Sequence, residues 1–246
     1  MRITSKAWKN YITLLRRVSD RAAKEMESYI WTQSNRFNEG IITYEEYENL
    51  VIEYAYALAT RYGEAAGAAA CDMYDAIAEL QHVSIPPAIP ARTATYGEVV
   101  GAVLGTIESN NPAVIASATG RLVKMVSLDT MQQNALRDGA EWAWIPVGET
   151  CAFCLTLASN GWQRASKNAI KNGHAEHVHA NCDCTFAVRF KPDLDVEGYN
   201  NGKKYFDMYR KAPLREDEAP TSKNRINALR RQFYAENKSE EINVNL

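Results

Sequence analysis

From Thr43 to Leu80 the chain keeps a stripe of apolar or small residues at spacings of three and four: Tyr47, Leu50, Val51, Tyr54, Leu58, Tyr62, Ala65, Ala69, Met73, Ile77 and Leu80. That period is one face of a helix. Thr43-Tyr44-Glu45-Glu46 has the spacing of a capping box, so the pattern predicts one long helix over about residues 44–80. Its middle, Ala65-Ala66-Gly67-Ala68-Ala69-Ala70, leaves the backbone almost bare and lets a second helix approach closely. Cys71 falls in this stretch and reads as an inert buried thiol. The aromatic stripe reads as core rather than as a cofactor box.

A helix of this kind needs partners, and the flanking sequence supplies them. From Trp8 a second stripe runs through Tyr11, Ile12, Leu15, Val18, Ala22, Met26, Tyr29 and Ile30, with a turn at 35–40. Three prolines in Ile85-Pro86-Pro87-Ala88-Ile89-Pro90 exclude a helix interior and predict an extended connector over 85–90. Shorter helices are expected at about 95–109 and 112–138, the second broken near Gly120. At Glu141–Val147 and Asp183–Phe190 the pattern becomes short, aromatic and β-branched, which predicts two strands. The expected fold class is α+β, mainly α, in three parts: a helical arm or bundle over 1–138, a small α+β module with a short antiparallel sheet over 139–191, and a loop-rich extension over 192–246 with one helix at about 222–235.

Composition excludes several classes of protein. The 246 residues carry a formal charge of −2, with a sequence pI of about 6.1, which argues against a broad cationic surface for nucleic acid. The balance is uneven, however: residues 1–43 hold eight basic and four acidic groups, whereas 44–100 hold two and nine. Basic ends around an acidic middle leave local contacts with an acidic partner open, and Arg16, Arg17 and Arg21 of the first helix are the candidate nucleic-acid contacts. No stretch approaches the roughly 18 apolar residues of a membrane span, and the first residues lack the apolar core of a secretory signal. A reducing cytoplasm is therefore expected as the site of synthesis, and clustered cysteines there are metal ligands or redox groups more often than disulfides.

Four of the five cysteines lie between Cys151 and Cys184. Cys151-Ala152-Phe153-Cys154 is a Cys-x-x-Cys pair, followed after 24 residues by His179-Ala180-Asn181-Cys182-Asp183-Cys184. Two thiolates on one turn converge on an ion about 2.3 Å away, and a second pair from a distant segment completes a tetrahedron, which favours structural zinc. Cys151, Cys154, His179, Cys182 and Cys184 are five candidates for four positions. Either Cys182 or Cys184 can complete a set with His179, and an all-thiolate set without His179 is also open. A redox Cys-x-x-Cys lacks its βαβ setting, and a zinc deaminase requires the opposite order of motifs. A zinc-containing nuclease would draw on His174, His177 and Asp183. No phosphate loop, dinucleotide fingerprint or nucleophile elbow occurs, and no residue stands out as catalytic.

The segment Ala140-Glu141-Trp142-Ala143-Trp144-Ile145-Pro146-Val147-Gly148-Glu149-Thr150-Cys151-Ala152-Phe153-Cys154-Leu155-Thr156-Leu157-Ala158-Ser159-Asn160-Gly161, with the later His179-x-x-Cys182-x-Cys184-Thr185, resembles the core of the MuF-like minor head proteins, or head morphogenesis proteins, of tailed bacteriophages. The close match covers about residues 140–190. The resemblance implies a non-enzymatic virion protein inside the capsid near the portal, acting in head assembly or DNA packaging and ejection. Its implied partners are the portal protein, other capsid components and packaged DNA, with no membrane and no small-molecule substrate. The cysteines and His179 carry over as metal ligands rather than catalysts.

Overall fold

The computed structural model describes residues 5–107, 111–146, 151–166, 184–194 and 202–244. Within them the chain is mainly α with a small antiparallel sheet. The helices are α1 (Ser5–Asn38), α2 (Tyr44–Leu80), α3 (Tyr96–Ile107), α4 (Pro112–Asp138), α5 (Ala152–Ala158), α6 (Gly202–Arg210) and α7 (Ser222–Val244). The strands are β1 (Glu141–Ile145), β2 (Gln163–Arg164) and β3 (Thr185–Arg189).

The long helix forms where the sequence places it, and the predicted capping box starts it. Glu46 donates its amide to Thr43 Oγ1 at 3.2 Å, while Thr43 donates its own amide to Glu46 Oε2 at 2.7 Å. These bonds hold the Glu46 carboxyl below its ordinary pKa, the Thr43 amide being the largest cause. At 37 residues α2 is about 55 Å long. The first helix runs four residues into the expected turn, to Asn38, before Gly40 reverses the chain with φ +71°.

Close packing explains the small residues. A Cβ added at Gly67 would stand 3.2 Å from both Pro90 Cβ and Val126 Cγ1, and one at Gly63 would stand 3.0 Å from Val126 Cγ2. So α4 and the connector lie directly on the bare middle of α2. The break expected near Gly120 does not occur, and α4 is continuous from Pro112 to Asp138. Gly120 instead admits α1: a Cβ there would be 3.1 Å from Ser19 Oγ, and that hydroxyl donates to the Gly120 carbonyl at 3.0 Å. Helix-interior glycine reads as a breaker in sequence because its packing partner lies 101 positions away.

The proline-rich segment is extended, as expected, and side chains satisfy its backbone. Ala88 donates to Asp75 Oδ1 at 2.9 Å, and Ala91 donates to Thr130 Oγ1 at 2.9 Å. Asn134 both accepts from the Ile89 amide at 3.0 Å and donates to the Ile89 carbonyl at 2.8 Å. Buried backbone needs such partners when no ladder supplies them.

Gly139, at φ +66°, ends α4 and launches β1. The sheet order is β2-β1-β3, antiparallel throughout, with Trp142 opposite Val188 and Trp144 opposite Phe186. Phe186 lies edge-on to both tryptophans at 4.8 Å between centroids. Residues 184–188 are all buried, so both faces of β3 are covered. One hydrophobic cluster runs from Trp8 and Tyr11 of α1 through Tyr74 and Ile77 of α2 and Met131 of α4 into Trp142, Trp144 and Phe186. The core therefore continues past residue 138 into the sheet. Gln81, fully buried at the end of α2, ties the two together: it accepts from the Phe190 amide at 2.7 Å and donates to the Lys191 carbonyl at 2.9 Å.

The extension beyond residue 192 differs from expectation, because it holds two helices, α6 and α7, rather than one. Only nine residues long, α6 has too few positions to declare a period among its polar neighbours.

Candidate metal and partner sites

The Cys-x-x-Cys sequence reads as a turn between strands, but it opens a helix. Cys151 is the N-cap of α5, and its Sγ accepts the Cys154 amide at 3.4 Å. Helical spacing then divides α5 between two cores. Cys154, Leu157 and Ala158 belong to the cluster that includes the sheet, with Cys151 packed against it, while Ala152 and Leu155 pack with Ala212 of the α6–α7 segment and Ala228 and Leu229 of α7. The first pair of candidate ligands thus sits on the sheet-facing side of a helix wedged between the sheet and the C-terminal helices.

Cys184 precedes β3 directly and is buried in the same cluster as Cys154. It also lines a cavity of about 20 Å³ with Ile12, Leu15, Arg16, Lys124 and Thr185. That space holds about one water. Among the described residues, no three His, Cys, Asp or Glu side chains are grouped so as to hold a metal ion. The structure brings Cys151 and Cys154 together on one helical turn and does not add Cys184 to them as a third ligand. The other candidates, His179 and Cys182, lie outside the described residues, as do His174, His177 and Asp183. Cys71 is a buried free thiol in α2, and burial raises its pKa, as expected for an inert core residue.

The three candidate arginines of the first helix are not equivalent. Arg16 and Arg17 are exposed, with Arg16 at the edge of the cavity beside Cys184. Arg21 is held by Glu25 at 3.3 Å, and Glu25 also accepts from Tyr62 at 2.5 Å and pairs with Arg61 of α2. The Tyr62 hydrogen bond is the largest cause keeping the Glu25 carboxyl below its ordinary pKa. Asp20 lies on the same face as Arg17 and Lys24, so the positive charge of α1 is diluted by acids.

Sequence reasoning missed α5 as a helix and the part played by Gln81. The first had a readable signal, since Ala152, Leu155 and the pair Cys154 and Ala158 keep spacings of three and four over seven residues. The second had none, because a lone glutamine after a helix is ordinary until its partners 109 and 110 positions away are known.

No helix among the described residues is long and apolar enough to cross a membrane. No curated protein and no solved structure matches the chain. The family model of the VG15 protein matches residues 2–212, a span that contains the bundle, the sheet, the cysteine segment and α6 and leaves α7 beyond it. The chain belongs to the VG15 protein family, a family of viral proteins.

Proposed function

We propose that this protein is a structural, non-enzymatic minor head protein of a tailed bacteriophage, placed inside the capsid near the portal and acting in head assembly or in DNA packaging and ejection. Membership of a viral family supports the class. The observation that carries the finer reading is that the described cysteines of the two motifs adjoin a pair of strands. The first opens α5 six residues after β1 ends, the second runs into β3, and β3 pairs with β1 along its whole length. This is the strand, Cys-x-x-Cys, His-x-x-Cys-x-Cys, strand order on which the resemblance to MuF-like proteins rests.

In this reading four of Cys151, Cys154, His179, Cys182 and Cys184 hold a structural zinc. The N-cap geometry of Cys151, with its sulfur already accepting an amide, fits one half of such a site. The ion would join α5 to the start of β3, and a closed set of four ligands leaves no open position for a substrate. A zinc held in this way would be structural and would contribute to folding stability.

The test is quantitative mass spectrometry of purified virions and proheads, with cross-linking to the portal. A few copies per particle, cross-linked to portal subunits, is the expected result. Absence from both particles, or a copy number equal to that of the major coat protein, would contradict the proposal.

A further inference from the structure

The cations of α6 have a placement that the fold does not use. Residues 203–211 hold Lys203, Lys204, Arg210 and Lys211 against Asp207, and all five are exposed. Arg210 and Lys211 lie at the C-terminal end of α6, where positive charge favours a helix. Lys203 and Lys204 lie in the first turn, which carries no acidic residue, and there positive charge opposes the helix dipole. The first turn of α7 likewise lacks an acid and carries Lys223. Tyr209 donates its hydroxyl to Ser222 Oγ at 3.0 Å, and Arg225 donates to the Tyr209 carbonyl at 3.2 Å. These contacts bring Lys223 to the end of α6 that bears Arg210 and Lys211.

None of these lysines makes an ion pair among the described residues, in contrast to Arg231, which is held by Glu218 at 2.7 Å, and to Arg21 on α1. Between the two groups of cations stands an aromatic ring. Phe206 is 43% exposed, three positions from Lys203 and four from Arg210 on the same helix face, and the Arg210 guanidinium lies 5.7 Å from its centroid. Lys203 and Arg210 are about 10 Å apart along the helix. Interleaved cations and an exposed ring suit a strand that offers phosphates and an unstacked base together. A duplex offers the phosphates but keeps its bases stacked.

We propose that the outer face of α6, extended by Lys223, binds single-stranded nucleic acid, with phosphates on Lys203, Lys204, Lys211 and Lys223 and a base stacked at Phe206 and Arg210. The proposal uses none of the cysteines and stands whether or not those hold zinc.

The full chain is titrated into a fluorescent, mixed-sequence single strand of about 16 nucleotides, the upper end of an ordinary site size, and into the duplex of the same sequence, over a series of salt concentrations. The single strand is expected to bind more tightly. The double variant Lys203→Glu, Lys204→Glu weakens it at least about tenfold and reduces the salt slope by about 1.4, for two lost phosphate contacts. Phe206→Ala weakens the single strand by about tenfold and leaves the duplex unchanged. The same double variant keeps or raises the melting temperature, because glutamate suits the first turn of a helix, so lost binding cannot be ascribed to unfolding. Lys6→Glu, at an exposed position of α1, retains binding. No binding at low salt, equal binding by the charge-reversed variant, indifference of the single strand to Phe206→Ala, or loss of binding in Lys6→Glu alone would each overturn the proposal.

Discussion

The helices α1, α2 and α4 cover one another by removing side chains where they cross, at Gly63, Gly67 and Gly120, while the sheet covers itself by adding them, at Trp142, Trp144 and Phe186. Both routes exclude water. The first gains many small contacts from close approach of backbones, and the second concentrates burial in three rings. The difference has a consequence for tolerance. A bundle crossing fails when atoms are added, and the sheet fails when they are taken away. Because one hydrophobic cluster spans both regions, a loss on either side reaches the other.

The largest predicted effect is therefore on the sheet. Phe186→Ala removes a fully buried ring that touches both tryptophans, and it should cost about 4 kcal/mol. Denaturant unfolding of this variant should remain a single transition, since the core is shared. Two separated transitions would show that the bundle and the sheet are independent. Next comes Gly67→Leu, which places a side chain against Pro90 and Val126 and should cost about 2 kcal/mol through overpacking. An unchanged midpoint would mean that α4 and the connector yield, and the contrast with the sheet would be lost.

A smaller effect appears only in acid. Glu98 sits at the start of α3, and the Arg92 guanidinium, followed by the Thr95 amide and hydroxyl, lowers its carboxyl pKa to about 2. A carboxyl whose folded pKa lies below its unfolded value near 4.5 contributes stability above that value. That contribution is lost as pH falls from about 5 toward 2. Melting temperatures of the native chain and Glu98→Gln should differ at neutral pH and converge over this interval. Curves that stay parallel to about pH 2 would remove the linkage.

How much of this could be read from the sequence depended on the distance between partners. The capping box at Thr43 and Glu46 is three residues wide, and it stands as predicted. The stripe of α2 and the aromatic and β-branched run of β3 are equally local, as is the Asn111-Pro112 start of α4, where Asn111 accepts the Ala113 amide at 3.1 Å. Gly120 reads as a breaker because what it admits, Ser19, is remote in sequence. Gln81 and Asn134 were invisible for the same reason: each satisfies a backbone segment brought near by the fold. At the candidate site, sequence supplies five candidate ligand residues and their order, and the structure supplies the helix that Cys151 begins and the two cores that α5 separates. The short α6 escaped notice, and its charge placement acquires meaning only once its ends are located.

The central claim is that the cysteine motifs hold α5 and β3 together through a metal ion. The direct measurement is zinc content by elemental analysis of chain purified without chelator, paired with the melting temperature of Cys151→Ser combined with Cys154→Ser. The account predicts one zinc per chain, lost in the double variant together with a clear fall in melting temperature. Chain that contains no zinc, or a double variant that melts with the native protein, would contradict it.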